Sequence, residues 1–357
     1  MLLSPLSHKW VVFEGKYKLA QGEVRMCIFY KFAVGATVTA LALLPRPVQA
    51  QTSLKYGLVN PPSHISVDMA KKFGEELSQA TGGKFKVDAY PAGQLVRSDN
   101  WFQGVRLGTV DFASGALSLM EGIAPEITIL DAPYIFTDLD HARRVLDGAF
   151  TTKLNDKLTK SGVRILAWWL FGVRSLATTF PVKSPADLAG RKIRDVPSPV
   201  LLATIEGMGA NPIPLDISEV HTALQTGVIV GIVNPPDTIF NNGFYEETKF
   251  FSMTGHTTMV QAIVMNEQKF QSFSPDVQAA LLAGAKTATD WQWKTYIALE
   301  NEYIQKLRGK GMTIITEADG LKKNEFAEKS QAFVMKKYLN QWGTGTYEQI
   351  KSLATPK

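Results

Sequence analysis

Leu54-Lys55-Tyr56-Gly57-Leu58-Val59-Asn60-Pro61-Pro62-Ser63 is the stretch on which the fold reading turns. Residues 54–60 read as a strand, and Pro61-Pro62-Ser63 then supplies a turn with Ser63 as helix N-cap. Met69, Phe73 and Leu77 recur at helical spacing, so a helix with one apolar face follows. Gly82-Gly83 ends it, and Phe85, Val87 and Ala89 alternate as the next strand. A further helix near 100–107 leads to Val110-Asp111-Phe112-Ala113. Strands alternating with helices imply parallel sheets flanked by helices on both faces, the α/β class.

The same rhythm restarts after Arg164-Ile165-Leu166-Ala167-Trp168-Trp169. It reads as a strand over 192–196, a helix over 201–208, a strand near Ile213, a helix capped by Ser218 and a strand over 228–233. A second lobe follows from that restart. No repeat, low-complexity tract or Gly/Ser linker separates the two, so ordered strands should make the crossings. Ser274-Pro275 then gives a strong helix start, and from Asp276 to Arg308 only Gly284 interrupts good helix formers. Such a helix is roughly 50 Å long at 1.5 Å per residue, more than one small domain needs, so it should lie across both lobes.

A chain of 357 residues that is 45% hydrophobic has enough apolar surface for a large core or two moderate ones. Its formal charge of +5 is concentrated early. Of 38 basic and 33 acidic residues, six and two fall in the first fifty, leaving 32 and 31. That balance offers no basic stripe for phosphate backbones, and no nucleic-acid partner is expected. The early segment reads as a signal peptide over residues 1–50: Lys31, an apolar run from Phe32 to Leu44, then Val48-Gln49-Ala50 as the small-residue exit. Met26 sits where such a signal normally begins, so Met1–Arg25 reads as an over-called start or an extension. The single Cys27 lies inside the signal, which leaves the mature chain without disulfides, thiolate chemistry or cysteine metal sites.

Hydrolase, zinc-helix, P-loop and dinucleotide signatures are missing from the sequence. The five histidines, His8, His64, His141, His221 and His256, are scattered singly and read as structural or surface residues. No cofactor and no metal is expected. Three polar residues stand out. Arg194 ends the strand Lys192-Ile193-Arg194-Asp195-Val196 just before Pro197-Ser198-Pro199. Ligands of open α/β sheets bind beyond the carboxyl ends of strands, where a guanidinium grips a carboxylate with two hydrogen bonds. The alternative is a solvated surface arginine. Asn234 ends the apolar run Val228–Val233 and either donates to a ligand oxygen or caps the turn at Pro235-Pro236. Arg174 follows Trp168-Trp169-Leu170-Phe171 near the crossing between lobes, where aromatics either flank an acid's apolar body or simply fill the core.

With these residues in view, the sequence resembles the DctP family of TRAP-transporter solute receptors over residues 54 to about 310. The resemblance rests on Tyr90-Pro91-Ala92-Gly93-Gln94-Leu95, Ala132-Pro133-Tyr134-Ile135-Phe136, Lys183-Ser184-Pro185-Ala186-Asp187-Leu188 with Ala189-Gly190-Arg191-Lys192-Ile193-Arg194, Glu219-Val220-His221-Thr222-Ala223-Leu224-Gln225-Thr226-Gly227, Phe244-Tyr245-Glu246 and Thr254-Gly255-His256. It implies a two-lobed periplasmic binding protein, a Venus flytrap with a long helix spanning both lobes. Residues 51–171 plus about 260–299 would form lobe I, and 172–259 plus about 300–357 lobe II. It further implies that Arg194 ion-pairs with the ligand carboxylate and that Arg174 and Asn234 belong to the pocket.

The family pattern Val-Asp-Gly-x-Glu-Asn-Pro is replaced here by Val230-Gly231-Ile232-Val233-Asn234-Pro235, so two acidic positions have become Val230 and Val233. Ser98 and Ala116 stand where receptors for sugar acids tend to carry acidic groups. With Trp169, Phe171 and Ile217 as lining, an aromatic or compact apolar carboxylate fits better than a sugar acid. The implied function is a non-catalytic, monomeric periplasmic receptor passing a small organic acid to the small and large TRAP membrane subunits. An extracytoplasmic sensor and a cell-envelope enzyme are the other readings.

Overall fold

A computed structural model of the chain describes residues 51–354, together with a short antiparallel ladder of Lys18–Leu19 on Gly22–Glu23. The expected signal run Phe32–Leu44 lies outside the described residues. Among those residues, no helix is long and apolar enough to cross a membrane.

Nine strands carry the architecture: β1 Thr52–Gly57, β2 Phe85–Tyr90, β3 Phe112–Ala113, β4 Val163–Thr178, β5 Lys192–Asp195, β6 Asn211–Pro214, β7 Gly231–Asn234, β8 Phe250–Asn266 and β9 Thr313–Ile315. They form one mixed sheet in the order β2-β1-β3-β8-β4-β7-β5-β6, with β9 added to β8. The expected parallel pairing holds within each half, for β1 with β2 and β3 and for β5 with β6 and β7. It fails where the halves join, because β4 and β8 are antiparallel along almost their whole length. These two long strands are the ordered crossings: one end of each belongs to the first half, the other to the second.

Each half is covered on both faces. In the second half Leu176 and Val233 enter one apolar cluster with Ile193 and Phe326, while Ala177 and Ile232 enter another with Phe244 and Ile314. That is the period-two alternation of a strand buried on both sides. In the first half Leu54, Tyr56, Phe73 and Leu77 fill one cluster, and Trp101, Leu130, Val145 and Trp342 another.

The long helix runs from Pro275 to Gly309, 35 residues. It packs on the helix Ile65–Ala80 near its start, along β4, and on the helix Pro236–Asn241 and β9 toward its end. Its Gln292 also repairs the crossing. The β4/β8 register slips between Met259 and Val260, and the Gln292 side chain accepts from Leu170 N at 3.2 Å and donates to Leu170 O at 2.7 Å. A bulge strands backbone groups, and a buried amide satisfies them here.

Several helix starts differ from the sequence reading. The first helix is Ile65–Ala80, capped by His64, whose Nδ1 accepts from Ser66 N at 3.2 Å, so Ser63 lies outside the cap. Asp216, in place of Ser218, caps the turn Ile217–Glu219 through Ser218 N, and the helix Val220–Gln225 follows. The strand expected over 228–233 is displaced to Gly231–Asn234. Val228 is exposed, and Ile229 N is bonded back to Ala223 O, which holds that segment in the helix-to-strand turn.

Candidate functional site

Strand β5 lies between β6 and β7, with Arg194 in register with Ile213 on one side and Ile232 on the other. Pro197 and Pro199 stop the pairing, so the strand's carboxyl end delivers Arg194 and Asp195 into the interior beside the crossing strands. Arg194 is wholly buried. Its Nε and Nη2 donate to Leu215 O at 3.0 and 2.6 Å, and its Nη1 has no partner in the protein. Burial lowers its pKa to about 10, with Asp195 opposing the shift, so the group stays charged at neutral pH.

Arg174 sits on β4 opposite Thr257 of β8 and is likewise wholly buried. Its Nη2 donates to Asp195 Oδ1 and, at 2.7 Å, to Val233 O; Nε and Nη1 are unpartnered. Asp195 also accepts from Val196 N at 2.7 Å. Where the family pattern has glutamate, Val233 therefore supplies only a carbonyl, and the acid facing Arg174 comes from β5. Asn234 ends β7 opposite Ser175, buried, with its Nδ2 free of protein acceptors.

The structure thus bonds Arg174 to Asp195 and to the Val233 carbonyl, with Arg194 next to Asp195 on β5 and Asn234 next to Val233 on β7. The chemistry of the cluster is one-sided. Buried N–H donors outnumber acceptors, and of the two guanidinium charges only that of Arg174 is matched by direct contact with a carboxylate. A buried cation without an anion is costly, so such a cluster favours binding a carboxylate.

The remaining three expected residues are placed differently from one another. Trp169 is fully buried in the first-half core, its Nε1 3.4 Å from Ser114 Oγ. Phe171 lies in the same cluster and stacks on His64 with ring centroids 5.5 Å apart. Ile217 is part of a cavity of about 360 Å3 lined also by Arg97, Ser98, Asp216, His221 and Phe244; Arg194, Arg174 and Asn234 are not among its lining residues. There Arg97 Nη2, on a first-half loop, lies 3.8 Å from Oδ1 of Asp216, the second-half cap.

Sequence reasoning passed over several buried polar groups beside this cluster. Asp195 was readable as the acid next to Arg194. His256 is buried, and burial, reinforced by Arg174, lowers its pKa to about 3, so it is neutral. Asp131 is buried with both oxygens unpartnered. At the crossing, His64 Nε2 lies 3.0 Å from Asp237 Oδ2, both side chains buried. Gly172 there has φ of 148°, and a Cβ would stand 2.3 Å from Tyr296 Oη.

Comparison with known proteins places this arrangement. Residues 56–341 match the model of DctP, the bacterial extracellular solute-binding protein family 7. The 2,3-diketo-L-gulonate-binding periplasmic protein YiaO of Escherichia coli K12 is 33% identical over 79% of this chain and 86% of its own. Among solved structures, a TRAP periplasmic solute-binding protein of Pseudomonas putida F1 with bound D-glucuronate superposes with a TM-score of 0.79. It is 27% identical, over 85% of this chain and 98% of its own. A TRAP solute-binding protein of Roseobacter denitrificans with bound L-galactonate gives 0.76 at 30% identity, over 85% and 98% of the two chains. The fold and the family match agree, and this chain belongs to the DctP family of bacterial extracellular solute-binding proteins, which are receptors and not enzymes.

Proposed function

We propose that this chain holds a small organic acid by its carboxylate, with Arg194 as the anchor, and delivers it to the small and large membrane subunits of a TRAP transporter. The observation that carries this reading is Arg194 itself: wholly buried, charged, bonded to a carbonyl, and with Nη1 free of any protein partner. Arg174 Nε and Nη1 and Asn234 Nδ2 are further buried donors without protein partners. The acids named for the relatives, 2,3-diketo-L-gulonate, D-glucuronate and L-galactonate, all present a carboxylate to such donors. Ile217 and the cavity it lines would receive the body of the acid.

The receptor acts in the periplasm as a monomer, after cleavage near Gln51, and its lobes divide at the crossings of β4 and β8, near residues 171–172 and 259–260. Amino-terminal sequencing of the secreted protein checks the processing. Mass spectrometry of the small molecule that co-purifies with the protein tests the function. An organic acid that is retained by the wild type and absent from Arg194→Ala is the expected result; a neutral or cationic ligand would refute it.

A further inference from the structure

Asp131 closes the short helical turn Pro125–Asp131 and is wholly buried, with neither carboxyl oxygen bonded to protein. The segment after it is fixed to the crossing strand: Tyr134 N donates to His256 O at 2.8 Å, and Tyr134 Oη to Thr254 O at 3.0 Å. His256 immediately precedes Thr257, the ladder partner of Arg174. The charges acting on Asp131 are accordingly Arg174, which opposes its protonation, and Asp195, which favours it.

Other elements packed on this segment bring little charge to it. The helix Lys323–Trp342 buries Phe326, Ser330, Val334, Tyr338 and Trp342, of which Tyr338 is titratable, with a pKa raised by burial. The helix Pro199–Gly207 buries apolar residues and Thr204, while Glu206 is exposed. Strand β8 presents His256 in its neutral form.

Four buried groups of alternating charge, a row in sign, therefore count together: Arg194 and Asp195, consecutive on β5, Arg174, bonded to Asp195, and Asp131, whose segment is tied to β8 beside the partner of Arg174. If Asp131 is ionised, the row is neutral as it stands, and an entering carboxylate leaves a net negative charge in a space with little water. If Asp131 carries a proton, the row has one positive charge and one carboxylate balances it. Resting on the carboxylate reading above, we propose that Asp131 sets the charge of the acid this site accepts: the pocket takes up one carboxylate together with one proton, and the proton resides on Asp131. Burial pushes the Asp131 carboxyl up to about 7, which makes the proton available near neutral pH. A doubly charged acid would need a second proton, so selection for a single charge follows from the same balance.

Carbon-13 NMR of the ligand-free protein, labelled at aspartate Cγ, tests the titration directly. One resonance should titrate near neutral pH and be missing in Asp131→Asn; titration of every aspartate of the folded protein well below that range overturns the proposal. Calorimetry in buffers of different ionisation enthalpy, with D-glucuronate, L-galactonate and succinate as probes, tests the linkage. Binding of a singly charged probe should take up a proton, and affinity should fall by up to about tenfold per pH unit above neutrality. In Asp131→Asn the uptake should vanish. Binding at pH 8 without proton uptake overturns the proposal, and the wild-type measurement stands even if the variant does not fold. If no probe binds the folded protein, it is the carboxylate reading that fails for these acids, and the NMR titration still decides whether Asp131 holds a proton.

Discussion

Arg194 and Asp195 are consecutive on one strand, yet the acid is bonded to Arg174 on the crossing strand and not to its neighbour. Side chains alternate across a strand, so the two point to opposite sides and the aspartate faces β4. The effect is to hold Arg174 in place with a matched charge while leaving Arg194 without one.

Arg194→Ala should weaken binding of the native acid by about 2–5 kcal/mol, roughly 30-fold to several thousand-fold in Kd, the range for truncating one partner of a buried charged pair. Arg194→Lys keeps the charge but loses the planar fork that also grips Leu215 O, so it should remain substantially weaker than wild type. Arg174→Ala and Asn234→Ala should cost less affinity. Isothermal titration of the folded variants gives the ranking, and an Arg194→Ala protein within about threefold of wild type contradicts the anchor role.

Removing Asp195 should act on stability more than on the ligand contact itself. Asp195→Ala leaves Arg174 buried with a carbonyl as its one remaining partner, a change that costs about 3–5 kcal/mol in comparable buried pairs. Urea unfolding should show a lower midpoint with an unchanged slope. A midpoint equal to that of the wild type would mean that Arg174 is matched from elsewhere.

Gly172→Ala should damage the crossing between the halves. Its φ of 148° disfavours any L side chain, and the new Cβ would meet Tyr296 Oη at 2.3 Å and Pro235 Cβ at 2.7 Å. Backbone strain and overpacking together predict a loss of about 2–5 kcal/mol. Thermal unfolding measures it, and a variant as stable as wild type would show that the crossing can open without cost.

Glu300, on the long helix, is pushed up to about 7 by burial and then by the Asp237 carboxylate. A carboxyl with a raised pKa contributes stability fully below its ordinary value near 4.5, and that contribution is lost as pH rises through about 7. The melting temperature of Glu300→Gln should therefore gain on that of the wild type between pH 5 and pH 8. Parallel pH profiles for the two proteins would contradict the shift.

Closure of the two halves should make the protein smaller in solution when the native acid binds. Each half has its own core on both sheet faces, so motion concentrates at the β4 and β8 crossings, where the register slips at Met259. Solution scattering with and without saturating acid measures the radius of gyration. An identical profile in both states would rule out the clamp.

The α/β class, the long helix from Pro275 and the place of Arg194 at a strand's end were legible in the sequence, because each rests on local chemistry: period-two and helical patterning, and a Ser-Pro start. Helix caps were less so, since His64 caps in place of Ser63 and Asp216 in place of Ser218, and only the final loop geometry selects between such neighbouring candidates. The mixed sheet and the charge row lie beyond sequence reasoning for a different reason. Asp131, Arg174 and Asp195 are far apart in the chain, and whether they share one dry space depends on which strands pair and in what register. The sequence by itself determined which ionisable groups the chain has; the antiparallel β4/β8 crossing determined which of them meet, because burial in common surroundings, and not proximity along the chain, makes charges act strongly on one another.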